Sequence, residues 1–160
     1  MPDLRIGHGY DIHRLQPGGQ LVMGGVVVAE GFSAVAHSDG DVVIHALVDA
    51  LLGAMGLGDI GEHFPNSDPA YKNAPSRVFL DRTCELLTAG GWKVINCDVT
   101  ITAERPKLKE FKREMARLLG QRLSCPVNVK AGTNEGCGEI GRGEAVAAEA
   151  VVLIERSATA

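Results

Sequence analysis

The 160-residue chain contains no Cys-x-x-Cys pair: Cys84, Cys97, Cys125 and Cys137 lie 13, 28 and 12 positions apart. That spacing excludes paired-thiol zinc motifs and thioredoxin-like redox motifs, and it predicts free thiols in a reducing compartment. No run of about 18 apolar residues occurs, so no membrane span is expected. The N-terminal MPDLRIGHG lacks the apolar core of a secretory signal, and a cytoplasmic location is expected. Basic blocks and basic-aromatic patterns are missing too, and the formal net charge is −4. Nucleic acid is therefore not an expected partner. Neither Gly-x-Ser-x-Gly nor His-Glu-x-x-His is found, and no Gly-x-Gly-x-x-Gly opens a helix after a strand with the expected acidic residue beyond. Nucleophilic serine or cysteine catalysis and dinucleotide binding have no support.

What is present suits a soluble globular protein. The apolar fraction is 45 % and the charged fraction 22 %, enough for one domain, residues 1–160, to bury a core without disulfide staples. Glycine is abundant, 20 residues of 160, against an average of about 7 %. Many tight turns or close backbone approaches are implied.

Alternation predicts strands at Leu4–Tyr10, Gln20–Ala29, Trp92–Glu104 and Pro126–Gly132. Gly24-Gly25 interrupts the second with a bulge or a hairpin-like kink. Helices are predicted over 39–55, with Ser38 as N-cap, over Ser76–Ala89 before Gly90-Gly91, and over Leu108–Leu123. The last stretch, EAVAAEAVVLIER, stays open: its alanines favour helix and its Val-Val-Leu-Ile run a buried strand. Strands alternating with helices predict an α/β (α+β) layer structure.

Four stretches carry chemistry. In GHGYDIHRL, residues 7–15, an extended backbone puts Asp11 and His13 on one face, because side chains alternate with period two. A carboxylate oxygen and an imidazole nitrogen at that spacing suit one cation, zinc included. The same pattern also occurs on ordinary polar surface. In AHSDGDVVIHALVDALLG, Asp41, His45 and Asp49 recur every fourth residue on an otherwise apolar helix. That stripe has no Lys, Glu, Arg or Gln, the usual residues of a wet helix face. It reads as a functional face carrying Asp and His. His37 and Ser38 precede this helix; its N–H groups and theirs could receive an anionic oxygen, or Ser38 could simply cap. The loop GDIGEHFPNSDPAYK is long enough to bind a ligand. VKAGTNEGCGEIGRGEA follows a strand with glycines able to cradle phosphate, and Glu135 could hold a hard cation beside substrate phosphates. His8 and His63 read as surface or structure.

Taken together, GHGYDIHRL, AHSDGDVVIHALVDALLGAMGLGDIGEHFP, ERPKL and NVKAGTNEGCGEIGRGE resemble the 2-C-methyl-D-erythritol 2,4-cyclodiphosphate synthase family, from about Arg5 to Ile154. The resemblance implies a metal-dependent phosphorus–oxygen lyase of the non-mevalonate isoprenoid pathway. Its substrate would be 4-diphosphocytidyl-2-C-methyl-D-erythritol 2-phosphate, cyclised with release of CMP. It implies a single-layer mixed β-sheet with helices on one face, and a homotrimer around a central β-lined channel. By the same resemblance Asp11, His13 and His45 hold Zn2+, and Glu135 holds Mg2+ or Mn2+ between substrate phosphates. His37 and Thr133 would stabilise the transition state. His37 and Ser38, with Asp59, Ile60 and Gly61 and with Phe64, Pro65, Asn66, Ser67 and Asp68, would contact the methylerythritol phosphate and ribose. Ala103, Pro106, Lys107, Leu108 and Lys109 would line the cytosine pocket. Gly132, Thr133, Asn134, Glu135, Glu139 and Arg142 complete the implied contacts. Glu139 stands where some members carry an aromatic residue facing the trimer channel, and its charge disfavours an isoprenoid diphosphate there. Asn66 and the run Gly132-Thr133-Asn134 also depart from a common form of the pattern. The family reads the last segment as a strand. Spacing alone puts Asp49 behind the zinc ligand His45.

Overall fold

The computed structural model describes residues 3–156. Five strands make one mixed sheet in the order β2-β1-β5-β3-β4. They are β1 (Asp3–Met23), β2 (Val26–Ala34), β3 (Trp92–Thr102), β4 (Val127–Gly132) and β5 (Ala145–Arg156). Only β3 and β4 run parallel; the other neighbours are antiparallel. The helices are α1 (Val42–Met55), α2 (Ile60–His63), α3 (Arg77–Ala89), α4 (Lys112–Leu123) and α5 (Gly138–Gly141), with a 3-10 turn at Pro69–Tyr71.

Several boundaries differ from the sequence expectation. β1 does not stop at Tyr10 but runs to Met23, although its apolar alternation fades into Asp, His, Arg and Gln. Backbone pairing carries it: residues 3–14 pair with β5, and residues 15–23 pair with β2 across a register shift at Pro17/Gln20. Of the bulge and the hairpin-like kink expected at Gly24-Gly25, the structure has the hairpin, and it divides the expected strand in two. Both glycines have positive φ, 57° and 77°, and they form a two-residue hairpin turn that ends β1 and begins β2. This is the conformation that glycine adopts without a Cβ penalty. The helix expected from residue 39 begins at Val42, and its N-cap is Asp41 rather than Ser38. α4 likewise starts at Lys112, after a turn in which Leu108 accepts the N–H groups of Phe111 and Lys112. β3 ends at Thr102. The open C-terminal segment is strand β5, as the resemblance implied.

Period-two alternation sorts the sheet into two faces. Val146, Ala148, Ala150, Val152 and Ile154 of β5 and Cys97, Val99 and Ile101 of β3 are buried beneath the helices. The β1 residues on this face include Gly7 and Gly9, and α1 lies directly on them. A Cβ on Gly7 would sit 1.8 Å from the Ala50 carbonyl oxygen, and one on Gly9 would sit 2.0 Å from that of Ala46. The glycines therefore let strand and helix backbones touch. On the opposite face Leu4, Ile6, Tyr10, Ile12 and Val151 are exposed, Ile6 by 73 %.

Gly9→Ala is expected to destabilise the metal-free protein by roughly 3 kcal/mol, the upper end of overpacking, because the obstacle is backbone and cannot change rotamer. Urea unfolding measures this; wild-type stability in Gly9→Ala would show that β1 and α1 need no such contact.

Candidate metal centre and anion cavity

Asp11 and His13 share the face of β1 that carries Gly7 and Gly9, so they point toward α1. His45 lies on the first turn of α1, one residue in front of Ala46, the helix residue on which Gly9 rests. The close approach of strand and helix thus brings three donors together. Asp11 Oδ2 lies 2.9 Å from His13 Nε2 and 3.0 Å from His45 Nδ1. The two imidazole nitrogens are 3.0 Å apart. Three ligand atoms within 4.8 Å of one another are the sole such acid, thiol and imidazole group among the described residues. A tetrahedral ion with bonds of about 2.0 Å separates its ligands by about 3.3 Å, so this triangle fits a small divalent cation with little adjustment. Burial pushes the Asp11 carboxyl up, but hydrogen bonds and charge from His13 and His45 outweigh it and hold the group far below the usual carboxylate range. For His13, burial lowers the pKa while the Asp11 carboxylate raises it, with a net increase.

The triangle forms part of a cavity of about 320 Å3 lined by His13, His37, Ser38, His45, Ile60, Gly61, Phe64 and Asn66 together with Val35, Ala36, Tyr71 and Phe79. Phe64, Tyr71 and Phe79 stack on one another with ring centroids 4.9–5.5 Å apart, and Phe79 lies 5.9 Å from the His45 ring. Such apolar walls strengthen every charge interaction inside. His37 Nε2 is buried without a hydrogen-bond partner among the described residues. An unpaired buried polar nitrogen of this kind is costly unless a ligand satisfies it.

Other sequence candidates fall elsewhere. Asp41 is not on the functional face. It is fully buried and accepts the N–H groups of Gly24, Gly25, Val43 and Ile44 at 2.7–3.1 Å. Asp49 does not back His45; it accepts the Ile60 N–H at 2.7 Å and ties the start of α2 to α1. Asp59 caps α2 through Glu62 N–H, and Asp68 caps the 3-10 turn through Ala70 N–H. Pro65 and Ser67 are exposed and do not line the cavity. His8 is exposed on the opposite sheet face, 3.8 Å from Glu149, and His63 bonds the Leu57 carbonyl.

A second cavity, of about 240 Å3, is lined by Ala103, Pro106, Lys107, Leu108, Lys109, Gly132 and Thr133 with Lys112 and Ala131. The Thr133 hydroxyl donates to Glu135 Oε1 at 2.8 Å. Glu104 Oε1 accepts the N–H groups of Asn134 and Gly136 and so shapes this loop. Glu139 is exposed at the start of α5, and Arg142 pairs with Glu144 at 2.9 and 3.0 Å. The two cavities have no lining residue in common. His13 pairs with Val146, the neighbouring Ala147 with Thr102, and Thr102 with Gly132. Three strand spacings, about 14 Å, therefore separate them across the sheet.

Sequence reasoning missed Ser76 and Asp39. Ser76 is fully buried, and its hydroxyl lies 2.9 Å from His45 Nε2. It was legible only as a helix start, yet its side chain makes no cap bond. No spacing rule connects position 76 with position 45.

Fold and site together define an α+β protein in which an Asp-His-His group that could hold a metal lies at an apolar-walled cavity. The chain belongs to the YgbB family, whose model matches residues 4–155. A protein of Thioalkalivibrio sulfidiphilus (strain HL-EbGR7) named 2-C-methyl-D-erythritol 2,4-cyclodiphosphate synthase is 54 % identical over 159 residues, 97 % of this chain and 99 % of its own. The bifunctional IspDF of Campylobacter jejuni has a similar structure, with TM-score 0.93 and 38 % identity over 98 % of this chain and 43 % of that longer one. IspF of Plasmodium falciparum in its CDP complex gives TM-score 0.84 and 30 % identity over 97 % of each chain. The resemblance drawn from the motifs is borne out.

His45→Ala is expected to abolish stoichiometric zinc binding while leaving the far-ultraviolet circular dichroism unchanged. Calorimetric titration with zinc checks it; retained stoichiometric binding would remove His45 from the centre.

Proposed function

We propose that the chain, acting as one domain, is a lyase that cyclises 4-diphosphocytidyl-2-C-methyl-D-erythritol 2-phosphate to 2-C-methyl-D-erythritol 2,4-cyclodiphosphate with release of CMP. The step belongs to non-mevalonate isoprenoid biosynthesis and, on this reading, runs in the cytoplasm. No helix of the described residues is long and apolar enough to cross a membrane. The observation that carries the reading is the acceptor triangle beside an unpartnered, buried His37 nitrogen in one apolar-walled cavity.

In the reaction a 2-phosphate oxygen bonds to the β-phosphorus, and the bond from that phosphorus to the bridging oxygen of CMP breaks. The nucleophile needs no strong base, because a phosphate monoester with a second pKa near 6 is largely dianionic at neutral pH. The barrier is repulsion and ring closure. Two unit charges about 4 Å apart repel by roughly 4 kcal/mol at an effective dielectric of 20. A divalent ion held by Asp11, His13 and His45, with a second held by Glu135, would offset this charge and polarise the phosphates when bound. Zinc suits the first set of donors, and magnesium or manganese suits a lone carboxylate completed by substrate phosphates. His37 donates from Nε2 to the developing charge, and Thr133 does so from its hydroxyl once that proton leaves Glu135, which a cation would then engage. Ser38, Ile60, Gly61, Phe64 and Asn66 hold the folded polyol, which makes the displacement a positioning task. Lys107, Leu108 and Gly132 receive the cytosine.

Such a substrate must reach both cavities, and a homotrimer accomplishes this by joining the metal cavity of one copy to the cytosine cavity of the next. The open sheet face supports the assembly: Leu4, Ile6, Tyr10, Ile12 and Val151 lie exposed together on it, and a contiguous exposed apolar patch marks an interaction surface. Ile6→Glu is expected to yield folded monomer on light scattering and to lose at least 100-fold in turnover. An active monomer would refute the shared site.

Incubation with the diphosphocytidyl substrate, zinc and magnesium tests the reaction, with phosphorus NMR reading CMP and product together. A cyclic diphosphate supports it. An open-chain product would make the protein a phosphodiesterase, and zinc binding without CMP release would make it a non-catalytic binder. Glu135→Gln should lower magnesium-dependent CMP release at least tenfold with zinc retained; unchanged magnesium dependence would free Glu135 of its role.

A further inference from the structure

Behind the metal triangle lies a second layer of polar groups that the reaction itself does not use. His45 turns Nδ1 toward Asp11 and His13, and its other ring nitrogen, Nε2, faces Ser76 Oγ at 2.9 Å. Ser38 Oγ is farther, at 3.2 Å, and accepts the Gly40 N–H. Ser76 Oγ also contacts Asp39 Oδ1 as a hydrogen bond. The direction of that bond is fixed by counting. The Asp39 carboxylate accepts from Asp41 N–H through Oδ1 and from Ser76 N–H through Oδ2. A carboxylate with no proton can only accept, so the Ser76 hydroxyl proton goes to Asp39. Having given up its one proton, Ser76 Oγ can only accept from His45. His45 can bond Ser76 only with a hydrogen on Nε2, whereas the Asp11 carboxylate, 3.0 Å from Nδ1, draws the ring hydrogen the other way, so the two sides compete for it and an ion in the triangle needs it on Nε2.

We propose that Ser76, oriented by Asp39, is a positioning residue for metal capture: it selects the His45 tautomer whose free lone pair completes the Asp11–His13–His45 triangle. The opposite tautomer would place a hydrogen inside the triangle and block the ion. Outer partners of metal-bound histidines fix ring orientation and tautomer, and their loss costs about 10–100-fold in metal affinity. Ser76 suits this task because it is fully buried, so water does not replace it readily. Its backbone adds stiffness: Ser76 N–H binds Asp39, and Asp39 N–H binds the Ala74 carbonyl at 3.1 Å, so the segments 39–41 and 74–76 are laced together behind the histidine.

The proposal rests on the metal reading of the triangle, and the test separates the two. Zinc affinity is measured by competition with a chromophoric chelator for the wild type, Ser76→Ala, Ser76→Thr and Asp39→Asn. Long-range nitrogen–proton NMR of the metal-free proteins, at a pH above the imidazole range, reads the His45 tautomer. Expected are an Nε2-protonated His45 in the wild type, a 10–100-fold loss of zinc affinity with a mixed tautomer in Ser76→Ala, and near wild-type values in Ser76→Thr, which keeps the hydroxyl. Asp39→Asn should weaken zinc in the same direction as Ser76→Ala. Should Ser76→Ala fail to fold, the wild-type tautomer and Asp39→Asn decide. An Nδ1-protonated His45 in the wild type, or zinc affinity within twofold of wild type in both Ser76→Ala and Asp39→Asn, overturns the proposal while leaving the metal centre intact. A wild type that binds no zinc overturns both.

Discussion

Contact between two backbones governs this molecule. Because Gly7 and Gly9 have no Cβ, strand β1 lies against the carbonyls of Ala50 and Ala46, closer than any side chain would allow. The strand then leaves the helix with Asp11 and His13 beside the first turn, where His45 stands. A metal centre needs its ligand atoms placed within a few tenths of an ångström. Two regular elements in direct contact supply that accuracy better than loops do. The cavity at His45, its apolar walls and the aromatic stack around Phe79 are built outward from this contact.

The same arrangement explains why α1 carries so few polar groups. It is buried along almost its whole length, and His45 is its one polar side chain inside the core. A buried imidazole among aromatic rings is tolerated because both ring nitrogens have partners, the triangle on one side and Ser76 on the other. The cavity therefore combines low polarity in its walls with concentrated polarity at its base, a combination suited to holding several phosphate charges close together.

Much of this is legible in the sequence. The Asp11–His13 pair followed from the period of an extended chain, and His45 stood out because its helix lacked lysine and glutamate. The stripe argument failed for Asp41 and Asp49, because periodicity describes a continuous helix while Asp41 lies just outside it as a cap. Alternation ends β1 at Tyr10 for a related reason: beyond that point its pairing comes from backbone hydrogen bonds to β5 and β2, which side-chain alternation does not report. The end of the chain was open between helix and strand because alanine-rich segments that pair on both sides lose the usual signature of either. Ser76 was beyond reach, since only the packing of α3 beside α1 brings it to His45.

Asp41 has a consequence of its own. One carboxylate receives the N–H groups of the β1–β2 turn and those of the first turn of α1. The tip of the hairpin and the start of the helix are thereby tied to one side chain, and its release would expose the amides of Gly24, Gly25, Val43 and Ile44 together. The hairpin is therefore not an independent flap at the edge of the sheet. It shares its anchor, the Asp41 carboxylate, with the start of the helix that carries His45.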